Sequence, residues 1–142
     1  MTTLYAKELD HRALNEAIRQ AGESVRITGC TGQRFIGAGM SGRSIEIRGI
    51  PGNALGAYLN GAEITVDGNA QDAVGDTMNG GRIVVRGSIG DAAGYAMRGG
   101  EIYVRDNAGY RAGIHMKEYR DKVPVLVIGG RANPYRRMYV EN

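Results

Sequence analysis

Short runs of alternating apolar and polar residues recur along the chain. The run RSIEIRG at residues 43–49 places Ile45 and Ile47 between polar neighbours, which is the period of two that is typical of a half-buried β-strand. The same alternation returns at residues 62–67, 81–86 and 100–105. The pattern therefore predicts a series of similar short strands.

These strands recur with a period of nineteen residues. When the copies are aligned, the same kinds of residue share a column: Ile45, Ile64, Ile83 and Ile102; Ile47, Val66, Val85 and Val104; Leu59, Met78, Met97 and Met116; and the glycines Gly56, Gly75, Gly94 and Gly113. An earlier copy fits with one extra residue, through Val25, Ile27, Gly37 and Met40. Five copies are thus visible in the sequence.

A unit this short cannot bury its apolar face alone, so the copies must stack. We expect an all-β chain that forms a parallel β-helix, or β-solenoid, of about five to six coils. Stacked coils lie about 4.8 Å apart, and each apolar column then becomes a ladder inside the solenoid. The 23 glycines would mark its corners. Two other repeat folds are disfavoured. The chain lacks the Leu-x-x-Leu-x-Leu signature of a leucine-rich repeat, and its period of nineteen is not a multiple of the six residues of a hexapeptide solenoid.

The two ends of the repeat differ from its middle. Residues 11–21 predict a helix that covers one end, with Asp10 as N-cap, Leu14 and Ile18 on one face and Gly22 as the stop. We therefore divide the single domain, residues 1–142, into an N-terminal segment with its capping helix (1–22), repeated coils (23–120) and an irregular last coil with a tail (121–142). A sixth strand is predicted within residues 122–130.

Charged residues on the outward side also follow the period. One column alternates in sign (Glu63, Arg82, Glu101 and Arg120), and a second column (Arg48, Asp67 and Arg86) begins the same way before Arg105 breaks it. Neighbouring coils would place opposite charges side by side, each pair contributing up to about 1 kcal/mol. We interpret these columns as solvated ladders that fix the register.

One glycine-rich segment resembles a nucleotide-binding motif. The sequence GAGMSG at residues 37–42 has the Gly-x-Gly-x-x-Gly spacing, but a strand follows it where a dinucleotide site needs a helix. Its sister segments in later coils, GAYLNG, GDTMNG and GYAMRG, lack the middle glycine. We predict a repeat corner at this place and no nucleotide site.

Composition narrows the classes of function. The lone Cys30 and the absence of an apolar leader favour a reducing cytoplasm, and no apolar run is long enough to span a bilayer. The net charge is +3, but basic and acidic residues are interspersed, so we expect neither nucleic-acid nor membrane binding. A basic stretch near the end, with Tyr135 and Tyr139, is interpreted as a solvated tail.

Few residues suggest chemistry. Asp72 and Asp91 share a column with Asp76 close by, so paired carboxylates could perform general acid/base work as in solenoid hydrolases. Alternatively, because Asn53 occupies the same column, all three residues could be turn residues whose side chains bond their own backbone. The isolated His11, His115 and Cys30 have no partner nearby in sequence. We therefore predict no catalytic, cofactor-binding or metal-binding residue.

The corners carry a more specific signature. GIPGNALG (49–56) and GSIGDAAG (87–94) both read Gly-x-x-Gly-x-x-x-Gly, and with GQRFIGAGMSG, GNAQDAVGDTMNGGRIVVRG and VLVIGG they resemble the C-terminal domain of the glutamate synthase large subunit in its stand-alone form. The formylmethanofuran dehydrogenases share that repeat in one of their subunits. The resemblance extends over nearly the whole chain.

This resemblance implies a right-handed β-helix with a structural role and no catalytic residue of its own. In the family, a glutaminase domain releases ammonia, and a separate domain with FMN and an iron–sulfur cluster makes glutamate from 2-oxoglutarate. We expect those cofactors on partner subunits and this chain as their scaffold. Alternatives are a subunit of a formylmethanofuran dehydrogenase or N-methylglutamate synthase, or a free-standing module that forms homo-oligomers. We expect the chain not to be catalytic alone but to be a domain of a glutamate synthase assembly, which is an oxidoreductase.

Overall fold

The alternating segments build one parallel sheet that runs the length of a β-solenoid. The computed structural model describes residues 1–133. The sheet has seven strands in sequential order. In chain order the elements are β1 (Thr2–Tyr5), α1 (His11–Gln20), β2 (Ser24–Thr31), β3 (Ser44–Ile50), β4 (Asn60–Asp67), β5 (Gly80–Val85), β6 (Glu101–Val104) and β7 (Val125–Ile128).

The strand register confirms the apolar ladders. Ile45 pairs with Ile64, Ile64 with Ile83 and Ile83 with Ile102, each nineteen residues further on. The second column is in register too, from Ile47 to Val104, and both columns are buried. The core is therefore a stack of β-branched side chains that neighbouring coils share.

The corners complete this core from the opposite side. The side chains of Met40, Leu59, Met78 and Met97 are buried there, and Met116 of the last corner is partly buried against them. Corner N–H groups bond alternately to the two neighbouring coils: Ala54 donates to the Asp72 carbonyl, and Gly56 donates to the Ile36 carbonyl. The corners therefore continue the inter-coil bonding of the sheet.

Helix α1 covers the N-terminal end, as the sequence predicts. The Asp10 carboxylate caps it by accepting a hydrogen bond from the Ala13 amide at 2.8 Å, and Leu14 and Ile18 are fully buried in the core. The half of α1 that faces the coils is also anchored by Asn15, whose side chain donates to the Phe35 carbonyl and accepts from the Gly37 amide. Ala21 is the C-cap, so the helix ends one residue earlier than predicted.

One strand and one column differ from the sequence-based expectation. The sequence does not predict strand β1, because none of its four residues is fully buried and its sequence TTLY shows no alternation of apolar and polar residues. The predicted sixth repeat strand is confirmed as β7, but Arg120 does not belong to the charged column. Glu101 pairs with Val125, twenty-four residues on, because the last coil contains extra residues that include the turn bridged by Tyr119 and Lys122.

The first charged column, without Arg120, is partly confirmed. Arg82 and Glu101, neighbours on β5 and β6, form an ion pair at 2.9 Å. Tyr135 and Tyr139 of the predicted basic tail lie outside the described residues. Within residues 1–133, no helix is long and apolar enough to cross a membrane.

Candidate functional site: polar ladders and coil corners

The two aspartates of the candidate acid/base pair belong to a hydrogen-bonded column that we call the first ladder (Asn53, Asp72 and Asp91). The Asn53 side-chain oxygen accepts from the Asp72 amide at 3.0 Å, and the Asp72 carboxylate accepts from the Asp91 amide at 2.7 Å. The Asp91 carboxylate in turn accepts from the Tyr110 amide at 2.7 Å. The prediction that these residues bond their own backbone is wrong, because each bonds the backbone of the next coil.

Missing side chains make room for this ladder. A Cβ atom at Gly90 would overlap a carboxylate oxygen of Asp72, and one at Gly109 would overlap a carboxylate oxygen of Asp91. Gly90 and Gly109, which precede Asp91 and Tyr110, therefore have no room for a side chain, because the neighbouring coil approaches them closely. Gly90, Gly109 and the acid column thus have one structural cause.

A second ladder of the same kind (Asn69, Ser88 and Asn107) runs beside the first. The Asn69 side-chain oxygen accepts from the Ser88 amide at 2.8 Å, and the Ser88 hydroxyl oxygen accepts from the Asn107 amide at 3.1 Å. Asn107 continues the column by accepting from the Arg131 amide at 2.8 Å. Sequence reasoning missed this ladder, although its three polar residues share the nineteen-residue spacing.

The space between the two ladders is a shallow groove of about 480 Å³. Asn53, Asp72, Asn69 and Ser88 line it, and the buried Ala70 and Ile89 lie at its floor. One oxygen of each ladder carboxylate accepts a backbone N–H of the next coil, so each acid already has a structural partner. Asp76 does not line the groove and instead accepts the Thr77 hydroxyl at the corner. The geometry favours a structural role for Asp72 and Asp91.

The GAGMSG segment is a repeat corner, as predicted. The Gly37 amide donates to Asn15, and the Gly39 amide donates to the Ala57 carbonyl at 2.8 Å. Strand β3 follows the segment, so no helix N-terminus faces it. These residues do not fit the phosphate of FMN or of another nucleotide.

Cys30 lacks the surroundings of a catalytic thiol. It is partly buried against the core, and this burial raises its pKa from 9.0 to about 11. A nucleophilic cysteine needs the opposite shift, because the thiolate is the reactive form. The chain also holds one cysteine where an iron–sulfur cluster takes about four thiolates, so its residues do not fit such a cluster.

The histidines lie apart, at opposite ends of the solenoid. The His11 ring is 5.7 Å from the Phe35 ring, and the His115 ring is 5.5 Å from the Tyr95 ring, edge to face. In the part of the chain that the structure describes, no three His, Cys, Asp or Glu side chains are grouped so that they could hold a metal ion. Neither histidine therefore has a catalytic or metal-ligating partner set there.

The corners contain a feature that the sequence did not reveal. Residues other than glycine adopt left-handed backbone angles in each corner, with φ between 53° and 61°; they include Ala54, Ala73 and Ala92 in one column and Tyr58, Thr77 and Ala96 in another. Such angles cost an L-residue about 1–2 kcal/mol. The inter-coil hydrogen bonds of the corner amides, such as Ala73 to the Asp91 carbonyl, hold the backbone in this shape.

Comparison with known proteins adds a family and one relative. The family model of the GXGXG motif matches residues 6–135. An uncharacterized protein of Methanocaldococcus jannaschii is 47% identical over 143 residues, which cover 95% of this chain and 55% of that protein. The chain thus spans little more than half the length of this relative. No solved structure matches the chain.

Proposed function

Because this chain belongs to the GXGXG motif family, which occurs in the C-terminal domain of the glutamate synthase large subunit, we propose that it is a non-catalytic scaffold of a glutamate synthase-type complex. It would bridge a glutaminase part and an FMN- and iron–sulfur-containing synthase part. The two parts together would form glutamate from glutamine and 2-oxoglutarate.

One observation carries this proposal: the polar side chains that could have served a reaction hold the coils together. Asp72 and Asp91 bond the amides of the next coil, and Asn15 bonds the first coil to the helix that covers it. Side chains that satisfy backbone groups across coils stiffen a solenoid. A stiff body that keeps two partners at a fixed distance is what a scaffold requires.

The cofactors of the complex belong, on this proposal, to its other parts. The lone Cys30 and the occupied amides of the GAGMSG corner fit neither an iron–sulfur cluster nor a flavin phosphate. FMN, the cluster and the glutaminase nucleophile would therefore enter with partner subunits. The chain itself would contribute placement and stability to the assembly.

A tagged copy of the full chain, captured from the source cell, tests this function. The captured proteins are identified by mass spectrometry, and the eluate is scanned for flavin absorbance. A glutaminase together with an FMN protein is the expected result. Subunits of a formylmethanofuran dehydrogenase or an N-methylglutamate synthase would instead place the chain in one of those complexes.

Self-association is measured separately, by light scattering on the purified chain. A defined homo-oligomer that captures no flavoprotein or glutaminase would contradict the scaffold proposal. It would leave the solenoid fold untouched and make the chain a free-standing module. A matched capture with an unrelated tagged protein removes proteins that bind the tag.

A further inference from the structure

One corner at the C-terminal end of the solenoid exposes a group of six side chains that we call the basic–aromatic cluster (Tyr95, Arg98, His115, Lys117, Tyr119 and Arg120). The guanidinium groups of Arg98 and Arg120 each lie 5.3 Å from the centre of the Tyr119 ring. The Tyr95 and His115 rings meet edge to face, with their centres 5.5 Å apart. The cluster is thus a set of stacked, exposed rings and cations.

The cations of this cluster form no ion pair within residues 1–133. Arg98, Lys117 and Arg120 stay outside the ion pairs of that range, whereas Arg26, Arg82 and Arg105 each contact a carboxylate. The exposed Glu118 and Asp121 flank Tyr119 and Arg120 in the chain and form no ion pair with them in that range. In the two preceding coils, Asn60 and Asn79 occupy the column of Arg98 and Lys117. The cations are therefore a feature of the C-terminal end of the solenoid and not of the repeat.

The backbone of the cluster is strained where its side chains are large. His115 and Arg120 have φ angles of 59° and 58°, in the left-handed region that favours glycine. The column of His115 holds Tyr58, Thr77 and Ala96 at the same left-handed angle in other coils, so this angle belongs to the corner and not to the cluster. A glycine at Arg120 would relieve its backbone strain without changing the path of the chain.

We propose that the basic–aromatic cluster is the surface through which this chain binds an acidic face of a protein partner. The inference rests on the proposed scaffold function and assigns it a docking surface. Arg and Tyr are the residues that dominate binding energy at protein interfaces. The contacts of both guanidinium groups with the Tyr119 ring favour their bound position before binding, which lowers the entropy that binding costs.

Charge complementarity selects the partner's chemistry. Unpaired cations gain from carboxylates on the other surface and raise the association rate. Stacked aromatic rings with arginine are also used to bind single-stranded nucleic acid. A groove that tracks a phosphate backbone needs a longer basic stripe, whereas these cations occupy the last corners and give way to asparagine in the earlier coils.

The test compares three versions of the tagged full chain in captures from the source cell. The first is the wild-type chain, and the second carries Arg98→Gln with Arg120→Gly. The third is a matched control, Arg12→Gln with Arg34→Gln, at the other end of the solenoid. Arg34 lies over the exposed Phe35 ring at 5.7 Å, so the control also removes two cations, one of them stacked. The captured partner is then purified and titrated against each version.

We expect the cluster variant to bind the partner at least tenfold more weakly, while the control matches the wild type. Binding by the wild type should weaken as salt concentration rises. Arg120→Gly relieves a left-handed residue, so the melting temperature of the cluster variant should be no lower than that of the wild type. Retained stability with lost binding separates an interface from a structural role.

Other outcomes overturn the inference. Equal partner capture by the wild type and the cluster variant would place the interface elsewhere and leave the scaffold function standing. Capture that disappears on nuclease treatment would identify a nucleic acid as the ligand. Cluster-dependent capture of a protein that is neither glutaminase nor flavoprotein would contradict the glutamate synthase assignment. The docking surface would then stand only if titration of that purified protein showed the same tenfold loss and the same weakening with salt, and it would fall if it did not. Capture of no specific protein would contradict both.

Discussion

The Asp72 carboxylate accepts a hydrogen bond from the Asp91 amide at 2.7 Å, across two adjacent coils. The same relation links Asp91 to Tyr110, so an acidic side chain satisfies a backbone donor of the next coil twice in succession. Amides outside the sheet need such partners, because unpaired N–H groups are costly. Acids in a repeating column can therefore arise from coil stacking without any reaction.

Removing this acceptor should destabilise the chain. Asp72→Ala removes an exposed hydrogen bond to the Asp91 amide and should cost about 0.5–1.5 kcal/mol, whereas Asp72→Asn retains an oxygen acceptor and should cost less than about 0.5 kcal/mol. Gln71→Ala, at the exposed neighbouring residue, should change stability by no more than about 0.5 kcal/mol. Urea denaturation of the three variants measures these differences.

The same variants separate the ladder from a hydrolase. A catalytic carboxylate would lose its function in Asp72→Asn with no loss of stability. A glycan-cleaving activity in the wild type that vanished in this variant would show that the ladder interpretation of Asp72 is wrong. The parallel variant Asp91→Asn provides an independent repeat of the comparison.

The interior ladders predict that an interior corner residue contributes much more to stability than an outward strand residue does. Met78 is fully buried, so Met78→Ala should cost about 2–5 kcal/mol through lost packing and a cavity. Thr65 is on the outward side of β4 and half-buried, so Thr65→Ala should cost well under about 1 kcal/mol. Equal and small changes in the urea midpoint would refute the assignment of Met78 to the core.

Much of the fold could be predicted because each coil repeats the same physical solution. Ile64 and Val66 show the alternation of one strand, and the nineteen-residue recurrence shows that strands like it are stacked. A single strand would have been ambiguous between several folds. The apolar, glycine and charge columns share one period, and this agreement leaves a stacked solenoid as the fold.

The parts that escaped prediction depend on contacts that the repeat does not encode. Strand β1 joins the sheet through backbone pairing with β2, and its side chains carry no apolar alternation. The extra residues of the last coil moved Arg120 off the sheet. The ladder bonds were missed because Asn, Asp and Ser also favour local turns, and composition alone does not say which amide they bond.

Two corner glycines with the same backbone angle should respond differently to a methyl group. Gly75 and Gly39 have φ angles of 69° and 70°, so alanine costs about 1–2 kcal/mol of backbone strain at either position. A Cβ at Gly75 would also overlap the buried Ile102 side chain, whereas none of the described atoms lies within 4 Å of one at Gly39.

Gly75→Ala should therefore be more destabilising than Gly39→Ala by about 1–3 kcal/mol, the typical cost of overpacking. Thermal unfolding of the pair, at matched pH and salt, gives the difference. Equal destabilisation would mean that Ile102 moves aside freely and that the core at this corner is looser than its burial indicates.

The thiol of Cys30 should react slowly with alkylating reagents in the folded chain. Burial raises its pKa from 9.0 to about 11, so the thiolate fraction at pH 8 falls about 100-fold, and the alkylation rate falls with it. The rate in the folded chain should keep rising as the pH approaches 11, whereas in urea it should level off near pH 9. Mass spectrometry of iodoacetamide-treated samples measures both rates. Rapid labelling of the folded chain at pH 8 would reveal an activated thiolate and make Cys30 a candidate nucleophile again.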